Sequence, residues 1–412
     1  MVSYDAPVST PRPFTLAPFR GLRFDADVVG DLGTVISPPY DVLDAETVRD
    51  LEAANRRNIV RLILSRRFPR PYLAVRDRLQ KWRDKAYLRA DEEPALYLYE
   101  YRADAMTVRG LIGLVGLRAE ADRVVLPHED VMEAPVADRA LLMGTTETNL
   151  EPILLVHESS QRLRDLLTSA AEDRPVADFV ALDGSEHRLW AVTDADVLDD
   201  VAGELAPTQA LIADGHHRYA AYLRLQTAQR DADAPVGTSP WDHGLAMLVD
   251  QNEHSLRVGP IHRSVAALTL SDVQDLAGDR GDHVRLMPDR EAAFAALVAR
   301  AADGSTSTFV LSDGRSWAVL STPRTQPVDA GVLHETLFPA WDVAEEQVGY
   351  HHSIDQALHT VARTPGIVVA VHPPTIAQVM DSAARGIRMP RKSTSFGPKP
   401  RMGVVMRDLR DA

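Results

Sequence analysis

The chain has no cysteine among its 412 residues. That absence excludes disulfides, thiolate-ligated metals and cysteine nucleophiles together. Long apolar runs are missing too, and no stretch approaches the roughly 18 residues that span a bilayer. Residues 1–13 are polar and carry prolines, with no basic region leading into an apolar core, so no secretory signal is expected. Basic charge is in short supply: 45 Lys and Arg stand against 59 Asp and Glu, a formal net charge of −14. This balance argues against DNA, RNA and anionic membrane surfaces as partners, while leaving room for one locally basic pocket for a small anion. Several signatures are also lacking: no GxxxxGK[ST], no GxGxxG opening a helix after a strand, no HExxH and no GxSxG. P-loop, dinucleotide-fold, zinc-protease and serine-hydrolase chemistry are therefore set aside. The expected setting is soluble and cytoplasmic, and a homo-oligomer stays open.

What is present is ordinary globular material, 45% hydrophobic and 25% charged. Its organising stretch runs from Asp214 to Leu223. Gln209–Ala213 before it is apolar and of strand length, and a helical pattern follows through Gln229. A strand, a glycine turn and a helix start carrying His216, His217 and Arg218 make a candidate anion site. Free N–H groups and the helix dipole favour phosphate there. Arg218 adds a two-pronged donor. His216 and His217 are adjacent and cannot face one metal from a single side of a helix, which disfavours a histidine metal site.

Elsewhere, strand-like and helical segments alternate. Asp44 is expected to cap a helix to about Asn55, and Pro71 to open one to about Arg89. Ala95–Tyr101 and Arg109–Leu117 read as a hairpin, joined through Arg102–Met106. Asp138–Arg139 is expected to open a helix, Glu151–Val156 to be a strand, Ser159–Asp173 a helix and Glu186–Val192 a strand. Asp194 should cap a helix to Leu205. A smaller α/β block follows from Leu268, with a helix over Arg290–Ala302 and a strand pair about Asp313–Arg315. Helices near Val332–Phe338, Asp355–Arg363 and Pro374–Arg385 and strands at Gly366–Val371 and Met402–Met406 complete the pattern. Hairpins among alternating elements predict a mixed-sheet α/β (α+β) fold rather than an all-parallel one. The expected division is an N-terminal and central lobe over 1–265, a smaller α/β lobe over 266–325, and a C-terminal segment over 326–412 whose basic tail folds back on the central lobe.

Polar clusters collect at predicted strand ends, where α/β scaffolds gather their binding groups. Asp41 follows the stiff Ser37-Pro38-Pro39-Tyr40 turn and either faces a ligand or satisfies turn amides. His128-Glu129 and His262-Arg263 are two further clusters. Lys392, Ser393 and Lys399 lie in a basic tail rich in Pro, Gly and Ser. Carboxylates, imidazoles and cations converging in one pocket would suit phosphate binding with a divalent ion and a general base.

Two resemblances sharpen this reading. Asp214-Gly215-His216-His217-Arg218-Tyr219-Ala220-Ala221 resembles the Gly-x-x-Arg-x-x-Ala phosphate box of the ParB/sulfiredoxin superfamily, with His216 where the sulfiredoxin cysteine would stand. Sulfiredoxin chemistry is thereby excluded, and no helix-turn-helix or basic DNA surface of the ParB kind is evident. The resemblance implies a ParB/sulfiredoxin-like core lobe. It also brings in the free serine kinases of that superfamily, which use a nucleotide to phosphorylate a small hydroxyl compound. The whole chain, moreover, is similar to the DUF1015 family. The matching pieces are Pro18–Arg23, Pro38–Val42, His128-Glu129, Asp138-Arg139, Ile212–Tyr219, His262-Arg263 and Met389–Phe396, although Ser395 and Gly397 stand where that family has aromatics. This family brings no settled activity.

The resulting expectation is a nucleotide-dependent small-molecule kinase or phosphotransferase using ATP or ADP with Mg²⁺ and acting on a hydroxyl substrate such as free serine. Asp41 or Glu129 would be the base, with His217 and Asp214 as further catalytic groups. Gly215, His216, His217, Arg218, His262, Arg263, Lys392 and Ser393 would bind the cofactor, and Asp214 would orient the base or hold Mg²⁺. The alternative is a nucleotide-binding switch or adaptor without phosphoryl transfer. A third reading is a structural protein that merely keeps the fold, for which no nucleotide would shift thermal stability.

Overall fold

The computed structural model describes residues 13–64, 71–103, 105–229, 235, 237–301 and 304–411. The amino-terminal arm, apart from Pro13, lies outside these residues, as do Asp104 in the hairpin connection and Ala302 at a predicted helix end. The chain forms two compact units. One comprises 1–127, 131–256 and 398–412, the other 128–130 and 257–397. The mixed α/β expectation holds.

The first unit is built on a nine-stranded sheet. Its order is Val125–Leu126, Ala210–Asp214, Ile153–His157, His243–Asp250, Met106–Gly116, Leu96–Ala103, Glu186–Val192 and Ala177–Val180, with Leu16–Ala17 also paired to Met106–Gly116. Ala210–Asp214 runs parallel to Val125–Leu126 and antiparallel to Ile153–His157, and His243–Asp250 runs parallel to Ile153–His157, so the sheet is mixed. Its central strands are almost wholly apolar, as in Ile153–Val156 and Leu245–Val249, because both faces are covered. Tyr219, Ala221, Tyr222 and Leu225 of the helix His216–Gln229 join that core. A smaller sheet orders Leu88–Ala90, Gly21–Phe24, Met406–Asp408 and Thr148–Asn149.

The second unit carries a six-stranded, wholly antiparallel sheet: His283–Met287, Trp317–Pro323, Thr306–Ser312, Gly366–Ala370, His262–Ala266 and Val348–His351. Its core gathers Phe309, Leu311, Leu320, Leu333, Trp341 and Val369. Among the described residues, no helix is long and apolar enough to cross a membrane.

Several boundaries differ from the sequence-based expectation for physical reasons. The helix from Pro71 stops at Asp84, and Ala86 turns left-handed (φ 54°) to start the strand Leu88–Ala90. The helix expected from Asp138 begins at Glu133. Met132 provides no side-chain cap, so that start carries no sequence signal. The last strand is Met406–Asp408 instead of Met402–Met406: Met402 only bridges to Ser37, and Gly403 (φ 87°) turns the chain. By contrast, Asp44, Ser160 and Asp194 cap the helices Ala45–Ala54, Gln161–Ala170 and Ala195–Leu205 with their own side chains.

Candidate functional site

The site grows out of the end of the strand Ala210–Asp214. A register irregularity between Ile212 and Asp214 ends the regular pairing there, as bulges near functional sites often do. Gly215 follows at φ +100°, and a β-carbon on it would lie 2.9 Å from Ile153 Cγ2 and 3.1 Å from Arg218 Nε. Only glycine turns the chain here without strain. The helix His216–Gln229 starts at once, so its first N–H groups have no intrahelical acceptors.

Around that start an alternating chain of charges is assembled. Asp214 Oδ2 accepts from Arg218 Nη2 and Oδ1 accepts from Lys399 Nζ, both at 2.5 Å. The same Lys399 ammonium donates to Asp41. Arg218 Nη1 also donates to the Pro152 carbonyl at 2.5 Å and lies 3.5 Å from Glu151 Oε2. Glu151 Oε1 is 3.9 Å from Arg139 Nη1, and Arg139 binds Asp138 through Nε and Nη2. Asp138 accepts from the Tyr72 hydroxyl, and the Tyr40 ring lies under Arg139, 4.9 Å from ring centre to guanidinium carbon. Arg139, Glu151 and Arg218 are buried, whereas Asp41 and Asp214 remain partly exposed at 26% and 22% of their side chains. The network therefore has a buried middle, Arg218, Glu151 and Arg139, between two partly exposed ends.

Electrostatics follow from this layout. Burial alone would raise the Asp214 carboxyl, but Lys399 and Arg218 more than offset it and hold it below the usual carboxylate range. Burial works against the Lys399 ammonium, yet Asp214 and Asp41 raise it above the ordinary lysine value. Glu151 is pushed up by burial, and the opposing pull of Arg218 and Arg139 only partly cancels that. Arg218 is raised in spite of burial, chiefly by Glu151 and Asp214.

The sequence-derived candidates fall into two groups. Asp41, Asp214, Gly215, His216, His217 and Arg218 lie in the first unit, and Asp41, Asp214 and Arg218 share the network through Lys399. Arg218 is turned inward onto Asp214, Pro152 and Glu151. His217 Nε2 accepts from the Met132 amide at 3.1 Å, and His216 is near enough to Asp214 to help lower its carboxyl. Glu129, His262, Arg263, Lys392 and Ser393 lie in the second unit. There Glu129 accepts from the amides of Lys392, Ser393 and Thr394 and from the Thr394 hydroxyl, all at 3.0–3.1 Å. Arg263 is fully buried and donates to the carbonyls of Ile261 and Lys392 and to His334 Nε2. His262 accepts from the Val371 amide. Glu151 and the pairing of Lys399 escaped sequence reasoning. Glu151 read as the start of a strand that begins at Ile153, and Lys399 as part of a tail cluster with Lys392 and Ser393, without Asp41 and Asp214 as its partners.

As a donor set for Mg²⁺, Asp41 and Asp214 fit one mode only. They already converge on a single cation, the Lys399 ammonium, but no group of three or more His, Cys, Asp or Glu placed to hold a metal ion exists among the described residues. Mg²⁺ shared between one or two carboxylates and phosphate oxygens suits such a pair, whereas an all-protein cage does not.

None of the curated proteins matches the chain. Solved structures resemble it loosely. A free serine kinase variant in complex with ADP shares 15% identity at a TM-score of 0.37, covering 70% of this chain and 87% of that one. A conserved hypothetical protein from Pyrococcus furiosus shares 15% at 0.38, covering 73% and 96%. SbnI with a C-terminal truncation, from Staphylococcus aureus, shares 12% at 0.38, covering 70% and 84%. The model of one family, described as a protein of unknown function, matches residues 16–344, and the chain therefore belongs to the DUF1015 family.

Proposed function

We propose that the first unit binds the phosphates of ATP or ADP at the start of the helix His216–Gln229 and transfers a phosphoryl group to a small hydroxyl compound such as free serine. Asp214–Ala221 then acts as a phosphate box of the ParB/sulfiredoxin kind. Gly215 lets the backbone approach the phosphate, and the amides of His216 and His217 donate to it. The observation that supports this reading is the Lys399 ammonium held by Asp41 and Asp214 beside that helix start. A positioned cation, two carboxylates and a helix start are the parts phosphoryl transfer requires.

Asp41 takes the proton as the substrate oxygen forms its bond to the terminal phosphorus and the bridging P–O bond to the nucleotide breaks. Lys399 turns from the carboxylates toward the phosphate oxygens. Asp214 is the residue that would hold Mg²⁺, which would neutralise phosphate charge when bound. Arg218 is a positioning residue in this scheme, because it fixes Asp214.

The test is ³¹P NMR of ATP or ADP mixed with serine and related hydroxyl compounds, alongside calorimetric titration of the nucleotide. Asp41→Asn should keep nucleotide affinity and lose transfer by about 10²–10⁴-fold, the usual span for removing a general base. Transfer by Asp41→Asn at the wild-type rate would sink the assignment. Nucleotide binding without any phosphorylated product would favour a switch instead.

A further inference from the structure

A cavity of about 300 Å³ opens in the first unit, lined by residues outside the candidate site. We propose that it binds a small carboxylic acid with an apolar body, the carboxylate meeting Arg407 and Arg20 and the body resting on Pro18, Pro94, Leu114 and Pro240.

Arg407 carries the argument. It is 2% exposed and lines the cavity. Its Nη1 and Nη2 donate to the carbonyls of His243 and Pro240, both at 2.7 Å and both on residues that also line the space. Its Nε has no hydrogen-bond partner, and among the described residues no carboxylate pairs with it. The adjacent Asp408 also lines the cavity, but its oxygens are taken up by Arg410 at 3.0 Å and by Arg83. Arg407 is thus a buried cation whose hydrogen-bond acceptors are all neutral, an arrangement that is costly unless an anion compensates it. Burial depresses its guanidinium to about 10, despite Tyr222 and Asp408, which raise it.

The cavity supplies the place for that anion. Arg20 is exposed on its lining, with Nε on the Asp91 carbonyl. Three prolines and Leu114 offer apolar wall to a ligand body, the usual composition of a small-molecule pocket with few polar anchors. Asp408 and Asp411 on the same lining disfavour a dianion such as phosphate, which leaves a monoanionic carboxylate as the better match.

Calorimetric titration of the full chain with benzoate and with its neutral isostere benzamide tests the assignment. Benzoate should bind saturably at millimolar concentration and at least about tenfold more tightly than benzamide. Arg20→Met should weaken benzoate while leaving benzamide unchanged, and Pro94→Trp, an exposed position on the lining, should block both. Arg407→Gln, where circular dichroism shows it folded, should bring benzoate down to the affinity of benzamide. Equal affinities for the two compounds, no saturable benzoate binding, or undiminished benzoate binding in Arg20→Met or Pro94→Trp would each overturn it.

Discussion

An alanine at position 215 would have to hold φ near +100° with its methyl group 2.9 Å from Ile153 Cγ2. Backbone strain and overpacking act together there, so Gly215→Ala should destabilise the protein by about 1–3 kcal/mol. Chemical denaturation checks this. A wild-type midpoint would mean that the strand end relaxes freely, and with it the reason for glycine. At this scale the sequence is informative where chemistry is local. Asp214, Gly215 and Arg218 announce themselves by neighbouring one another, and Asp41 by the two prolines that stiffen its turn. Lys399 is different. Its partner Asp41 is 358 residues away along the chain, and no local pattern encodes such a pairing. Glu151 is hidden for a related reason: beside Pro152 and four apolar residues it looks like strand, while its significance lies in Arg218 and Arg139 on other elements.

Among elements, helices with side-chain caps were legible to within a residue or two, as at Asp44 and Asp194, because a cap is chemistry written into adjacent positions. The strand Ala177–Val180 has no such mark and left no trace in the pattern, being short and alternately half-buried. The loop Lys392–Thr394 shows what a pattern cannot supply. Its three amides converge on Glu129, and Lys392 is left-handed (φ 59°) to allow it. Burial raises the Glu129 carboxyl, and the loop amides and Thr394 hydroxyl only partly offset the effect. Glu129→Gln keeps the shape, and its oxygen can stay on the three donors of Ser393 and Thr394, but its NH₂ then meets the Lys392 amide, which also donates. Leaving a buried donor without its acceptor costs about 1–3 kcal/mol, so the variant should lose that much stability. Hydrogen exchange should report it locally, as faster exchange at the amide of Lys392. Unchanged protection there would mean that Glu129 does not hold the loop.

For the whole molecule, composition bounded the class and the alternation of elements gave the mixed α/β architecture. A linear division of the chain has no way to represent a unit assembled from 1–127, 131–256 and 398–412, because those segments meet only in space. One global property follows from groups that sequence alone does not single out. Four histidines are held neutral by burial: His157, His187 and His262 at about 4 and His334 at about 3, each below the ordinary 6.5. Geometry agrees, since His334 accepts from Arg263 Nε and His262 from the Val371 amide, roles a protonated ring cannot keep. A folded-state value below the unfolded one means that unfolding takes up protons. The stabilisation is therefore fully present above about pH 6.5 and is lost as pH falls toward 4. His187 isolates the effect. It is 1% exposed, bonded to Tyr99 and Ser185 and stacked against Phe179. A shift from 6.5 to about 4 corresponds to about 3 kcal/mol for this one ring. Urea denaturation of the wild type at a series of pH values between 7 and 4.5 should show stability falling steadily with acid. His187→Gln should be less stable at pH 7 but flatter across that window, by the contribution of one proton. Parallel curves for the two proteins would show that His187 does not titrate on unfolding.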